Sequence, residues 1–195
     1  VLPDSLIDAE KVEKREDGLF YLNGENKPFS GSTISYHENA VKKEVETFKN
    51  GKFHGLHKGW FENENKAYEM NWEEGIKNGI CINFHPNGQK HEEGTYKSGR
   101  YHGQWLLWDE QGNKIRQNQW KNGQASGLSI EWNNKGIRIG IWSYSSGVVE
   151  IKKTLQLMSE LVQANQKVLG TGHPDMALSY NYLGVVHANN QTHDK

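Results

Sequence analysis

Nine histidines and a single cysteine are the residues of this chain with the most chemistry to offer. His54 and His102 each precede a glycine, Gly55 and Gly103, in equivalent turns, and His85 and His91 flank one predicted hairpin. A zinc site draws its ligands from cysteines and histidines at short, fixed spacings. No histidine here has a cysteine partner at such a spacing, so they read as structural or surface side chains and no metal is expected. Cys81 would need an activating base to act as a nucleophile. The candidate base is His57, expected on the neighbouring strand. Glu44, Glu92 and Glu93 are scattered, with no matched pair for acid–base work. Glycines abound, yet as turn residues and not ahead of a helix with the Lys-Ser/Thr of a phosphate loop. Gly170–Gly172 does precede a helix, where backbone N–H groups can hold an anion. The chain reads as non-enzymatic and without a cofactor.

The elements that carry these residues recur. Phe48-Lys49-Asn50-Gly51 followed by Gly55 returns as Trp72…Gly75…Gly79, Tyr96…Gly99…Gly103 and Trp120…Gly123…Gly127, each time 24 residues on. A fixed period in this range marks a repeat architecture. A third glycine column, Gly88, Gly112 and Gly136, is filled by Ala40 and Glu64 in the first two repeats. Aromatics recur twice per repeat at even steps: Tyr36, Phe48, Trp60, Trp72, Phe84, Tyr96, Trp108, Trp120, Trp132 and Tyr144. Each repeat is therefore two strands with two short connections, and strands joined so closely must be antiparallel. The fold expected is mainly β: an elongated, single-layer antiparallel meander of hairpins.

His85-Pro86-Asn87-Gly88-Gln89 suits a three-residue loop, a type I turn closed by a left-handed glycine. Lys97-Ser98-Gly99-Arg100 and Lys121-Asn122-Gly123-Gln124 are expected to do the same. A three-residue loop pairs 85 with 89, which would put all even-numbered residues on one face. That face would hold the ten periodic aromatics. Tyr36, Trp60, Trp72, Phe84, Tyr96, Trp108, Trp120 and Trp132 are then candidate partner-binding residues, with mutual shielding of the rings as the plainer reading. The odd face begins polar and turns apolar at Trp105, Leu107, Ile115, Ile139 and Ile141, so these five are expected to meet a covering element.

That element follows. Ile151, Leu155, Met158 and Val162 lie on one helical stripe within 148–169, Gly170 ends the helix, and Pro174 opens a second. The expected division is a lead-in over 1–16, hairpin repeats over 17–147 and a helical hairpin over 148–195. Residues 11–23 are expected to form an opening hairpin, with a helix over 4–14 as the alternative.

Composition narrows the function. Hydrophobic residues make up only 34%, aromatics 11%, and 21 of 195 residues are glycine, a mix that suits strands and turns. A net charge of −1 supplies no footprint for nucleic acid and no polybasic membrane anchor. One cysteine excludes an intramolecular disulfide. No apolar run is long enough for a membrane-spanning helix and no signal-peptide core is seen, which favours a cytoplasmic location. Export stays open, since the chain starts at Val1 and a leader could have been removed.

The stretch Gly18-Leu19-Phe20-Tyr21, then Lys27-Pro28-Phe29-Ser30-Gly31, then the recurring aromatic-x-x-Gly with His-Gly or Asn-Gly four residues on resembles the bacterial variant of the MORN family across 17–147. The tail Lys167-Val168-Leu169-Gly170-Thr171-Gly172-His173-Pro174-Asp175-Met176-Ala177, with Leu183-Gly184 beyond it, resembles tetratricopeptide (TPR) repeats of the kinesin-light-chain type. The resemblance implies a protein-binding scaffold, with TPR repeats that continue past Lys195 in the native protein. It also implies two alternatives: an antitoxin or immunity module that neutralises a toxin partner, and attachment to a membrane or to cell-wall glycan.

Overall fold

The computed structural model describes residues 6–193. It is mainly β, an antiparallel meander of hairpins followed by two helices, and it divides into two compact units, 1–100 and 101–195. The first unit opens with β1 (Ile7–Asp8), a 3-10 turn (Ala9–Lys11) and a hairpin of β2 (Val12–Lys14) and β3 (Phe20–Leu22). That is the opening hairpin expected over 11–23. The alternative helix is absent among the described residues, and its first two positions lie outside them. β4 (Gly31–Tyr36), β5 (Lys42–Lys49), β7 (Gly55–Trp60), β8 (Lys66–Glu73), β9 (Ile76–Phe84) and β10 (Lys90–Lys97) lie side by side in that order, with the short β6 (Lys52–Phe53) pairing back onto β5.

The second unit repeats the plan with β11 (Arg100–Trp108), β12 (Lys114–Lys121), β13 (Gln124–Ala125), β14 (Gly127–Trp132), β15 (Arg138–Ser145) and β16 (Val148–Val149). Helices α1 (Ile151–Leu169) and α2 (Met176–His193) complete it.

Two kinds of turn alternate, where the sequence reading expected one. The loop at 85–89 is the three-residue kind: the His85 N–H donates to Gln89 O at 2.8 Å and Gly88 has φ 86°. The loops at Asn50-Gly51, Glu74-Gly75, Ser98-Gly99, Asn122-Gly123 and Ser146-Gly147 are two-residue turns with both central residues at positive φ, 50° and 73° at the first. This type I′ geometry matches the natural twist of paired strands, and it demands a residue such as Gly at its second position.

The turn types correct the reading of the faces. A two-residue turn pairs an odd residue with an even one, Lys49 with Lys52. A three-residue turn pairs like with like, Phe84 with Lys90, but a bulge follows at once: Asn83 meets Glu92 and His91 is the extra residue. The same bulge recurs at Lys43, Ala67, Ile115 and Ile139. One extra residue reverses which side chains face which way. Parity therefore switches at every hairpin within each unit, and even-numbered residues do not share a face.

The helices meet the sheet differently from the expectation as well. α1 runs along the open edge of β15. Thr154 Oγ1 accepts the Ser143 N–H at 2.9 Å, Met158 Sδ accepts the Ile141 N–H at 3.1 Å, and Asn165 Nδ2 donates to the Arg138 carbonyl at 2.7 Å. An uncovered strand edge invites pairing with another chain, and side chains of α1 occupy this one. Ser143 and Thr154 are both fully buried. Removing the hydroxyl at constant shape leaves a buried N–H unpaired, so Thr154→Val is expected to cost about 1–3 kcal/mol. A urea-unfolding midpoint unchanged from wild type would contradict this role for α1.

Candidate functional site

The ten periodic aromatics divide five and five. In the first unit Phe48, Trp72 and Tyr96 share one face with His57, Met70 and Cys81, while Tyr36, Trp60 and Phe84 lie on the other with Ile34, Leu56 and Ile80. In the second unit Trp120 and Tyr144 share a face with Trp105, Leu107 and Trp142, while Trp108 and Trp132 lie opposite with Leu106, Leu128, Ile130 and Ile141. The five apolar residues expected to share one covered face are thus split: Trp105 and Leu107 on one, Ile141 on the other, Ile115 and Ile139 in bulges. Only Ile139 and Ile141 belong to β15, the strand that α1 follows. Nonetheless Trp105 and Ile139 are buried, and the other three are half-buried.

The first face is a packed core. Phe20, Phe48, Phe53 and Trp72 form a chain of ring contacts with centroids 4.9 to 5.1 Å apart. Phe53 and Trp72 enclose His57, at 4.8 and 5.7 Å. In the second unit Tyr101 takes the place of Phe53, 4.4 Å from Trp105 and 5.2 Å from Trp120. So Trp72 in the first unit and Trp120 in the second are each packed against neighbouring rings, and Tyr96 lies under Lys77. The opposite face is more open. Tyr36 is 54% exposed, Ile80 54% and Leu56 40%. Trp60 and Trp132 lie under Lys42 and Lys114, and a cleft of about 440 Å³ opens beside Trp60. Phe84 and Trp108 are half-buried.

A row of polar groups crosses the packed face of the first unit, which the sequence reading treated as scattered. His57 is 2% exposed, its Nε2 is 2.9 Å from the Thr47 carbonyl, and its Nδ1 is 4.0 Å from Glu46. The Tyr68 hydroxyl donates to Glu44 at 3.0 Å and Asn83 donates to Glu92 at 3.0 Å. Glu44, Tyr68 and Glu92 are successive members of one repeat column, and alternate strands bring them into line. The signal was in the period, but the single-parity face assignment hid it. Burial lowers the pKa of His57 against the opposing pull of Thr47 and Glu44. Burial, then the Glu44 charge, raises that of Glu46.

The arrangement does not activate a nucleophile. β8 stands between His57 on β7 and Cys81 on β9, so the expected neighbour is one strand too far. The Cys81 thiol is pushed up to about 11, by burial first and by Glu92 second. A thiol so placed is a neutral, packed group. His54 and His102 occupy equivalent kinks, and the His85 and His91 rings are 4.6 Å apart. Among the described residues no three His, Cys, Asp or Glu gather as a metal would require.

The second unit carries an apolar cleft of about 450 Å³. Its walls are Trp142 and Tyr144 of β15, Val148 and Val149 of β16, Ile151 of α1 and Val185 and Val186 of α2. Tyr182 of α2 crosses Trp142 edge-on at 5.1 Å and donates to Glu131 at 3.0 Å, which fixes one wall. Val148 is 69% exposed and Val185 59% exposed. Sequence reasoning missed this site because Trp142 lay outside the periodic aromatic column and the position of α2 was not predictable.

Two outcomes follow for the first unit. His57, with its folded pKa below the ordinary 6.5, leaves the unfolded chain binding more protons as the medium is acidified. Its contribution is complete above 6.5 and is lost as pH falls through the folded value. Glu46, raised above 4.5, works in the opposite sense, losing stability as pH rises through its folded value. His57→Gln is expected to flatten the loss of stability as pH falls below 6.5 in urea titrations; an unchanged slope would contradict it. Cys81 is expected to resist a water-soluble thiol reagent at neutral pH until denaturant is added, and rapid labelling of the native chain would contradict its burial.

No protein-family model matches the chain, and no curated protein matches it. Among solved structures, a mutant of S. aureus TarM in complex with Fondaparinux, alpha-GlcNAc-glycerol and UDP is similar over 65% of this chain, at 13% identity and a TM-score of 0.35. The chain spans 24% of that protein's length, and a similarity at this level carries no conclusion about function.

Proposed function

We propose that this chain is a non-enzymatic repeat scaffold that binds a protein partner, its hairpin block of the MORN kind and its helices of the TPR kind. The recurring hairpin period supports the first part, and the helix pair joined through Gly170-Thr171-Gly172-His173-Pro174-Asp175 supports the second. The observation that carries the binding reading is the open apolar cleft beside β16. Soluble proteins seldom leave contiguous apolar surface uncovered without a use for it, and exposed Val148 and Val185 beside half-buried Trp142 and Tyr144 are the composition of an interface centre. The polar row in the first unit lacks an activated nucleophile, which favours binding over turnover.

The test is affinity purification of the whole protein from its native cells with quantitative mass spectrometry, comparing wild type with Val148→Glu/Val185→Glu. A protein retained stoichiometrically by wild type is expected to fall at least about tenfold with the variant, as loss of an interface centre requires. Equal recovery by both forms would contradict the assignment of the cleft.

A further inference from the structure

Successive repeats are tied by one recurring bond. The N–H of each two-residue-turn glycine donates to a carbonyl one repeat back: Gly51 to Phe29, Gly75 to Phe53, Gly99 to Lys77, Gly123 to Tyr101 and Gly147 to Ala125, all at 2.7 to 2.9 Å. The acceptors advance by one full repeat period each time, and the next position in the series is Val149. β16 repeats the geometry of the earlier acceptor segments. Val148 pairs with Ser145, Val149 with Tyr144, and the Glu150 N–H donates to Ser143 at 2.8 Å, as the His54 N–H does to Thr47 and the Ser126 N–H to Gln119. In an antiparallel pair, inward hydrogen bonding alternates along the strand. With Glu150 bonded inward, Val149 turns its carbonyl outward, as Phe53, Tyr101 and Ala125 do. After Val149 the chain enters α1, so no further hairpin turn of its own reaches this carbonyl among the described residues. The apolar cleft lies at the same place, with Val149 in its wall.

We infer that the cleft receives a two-residue glycine turn from a partner protein, whose glycine N–H donates to the Val149 carbonyl while an apolar residue flanking the turn fills the space between Val148, Trp142 and Val185. This deepens, and rests on, the protein-binding reading of the cleft. The partner continues the ladder in trans by the logic of strand addition: main-chain bonds supply register and a side-chain pocket supplies selectivity. Its recognition element is a tight hairpin with an X-Gly turn, because that element makes the same bond five times within the chain, and the apolar walls of the cleft call for β-branched or aromatic flanks.

The probe is a disulfide-cyclised hairpin peptide with a Val-Asn-Gly-Val turn, titrated into the full chain and followed by methyl NMR. Shifts are expected at the methyls of Val148, Val149, Val185 and Val186. The same peptide with the turn glycine N-methylated lacks the donor and is expected to bind about tenfold more weakly, the size of one hydrogen bond lost at an apolar site. Val185→Glu, on an exposed position that leaves the fold intact by circular dichroism, is expected to weaken the parent peptide by a similar factor. Absence of binding by the parent peptide, or equal binding of parent and N-methylated forms, would overturn the inference. If the hairpin fails while a cellular partner still depends on Val148 and Val185, the turn-capture mode is wrong and the binding reading stands; if both fail, the cleft is not an interface.

Discussion

The hydrogen bond from each turn glycine to the repeat before it is the constraint on which the rest depends. Hairpins are marginal alone, and each must be held by its neighbours. Strand pairing does part of this, but pairing alone leaves the turns free to splay. The glycine N–H reaching back one repeat pins every two-residue turn onto the hairpin that precedes it. It requires both central residues of the turn at positive φ, which is why the second is glycine in all five. At the start of the series, the N-terminal segment supplies the first acceptor: Gly51 donates to Phe29 while Phe20 donates to Gly51, and Phe20 lies on Phe48 and Phe53.

The turns also determine where the aromatics go. Because parity switches at every hairpin, each unit sends some rings to a packed face and some to an open one. On the packed face they cover glycines of the opposing strand: Trp72 pairs with Gly55 and Tyr96 with Gly79. Gly59 has the Tyr68 ring against it so closely that a β-carbon could not be placed there. A sheet with little interior thus gains a core from rings and absent side chains on the same face, with Phe53 or Tyr101 folded over it. The burial of His57, Cys81 and Trp105 follows from this closure.

Much of this was legible in the chain. The period and the antiparallel meander follow from glycine and aromatic spacing. Two helices separated at Gly170 follow from the Ile151, Leu155, Met158 and Val162 stripe and from Pro174, while the opening hairpin is one of two readings of the first residues. The three-residue loop at 85–89 was legible from Pro86-Asn87-Gly88. The faces were not, because one added residue per hairpin reverses them, and neither Lys43 nor His91 carries a mark of being a bulge. Ile115 and Ile139 read as face residues when they are bulge residues. The helix was expected over a face holding Trp105, Leu107, Ile115, Ile139 and Ile141; α1 instead serves the edge of β15 through Thr154, Met158 and Asn165, and such side-chain-to-backbone bonds leave no mark in the hydrophobic pattern. The polar row through Glu44, Tyr68 and Glu92 became visible once strand registers placed those positions in line.

Val149 stands at the next position of the acceptor series and in the wall of the apolar cleft. The most direct test of the ladder itself is amide hydrogen exchange at Gly51, Gly75, Gly99, Gly123 and Gly147. If these bonds organise the repeats, all five glycine amides will exchange as slowly as neighbouring strand amides, although each sits at the tip of a surface turn. Exchange at the rate of an unstructured peptide at these positions would contradict it.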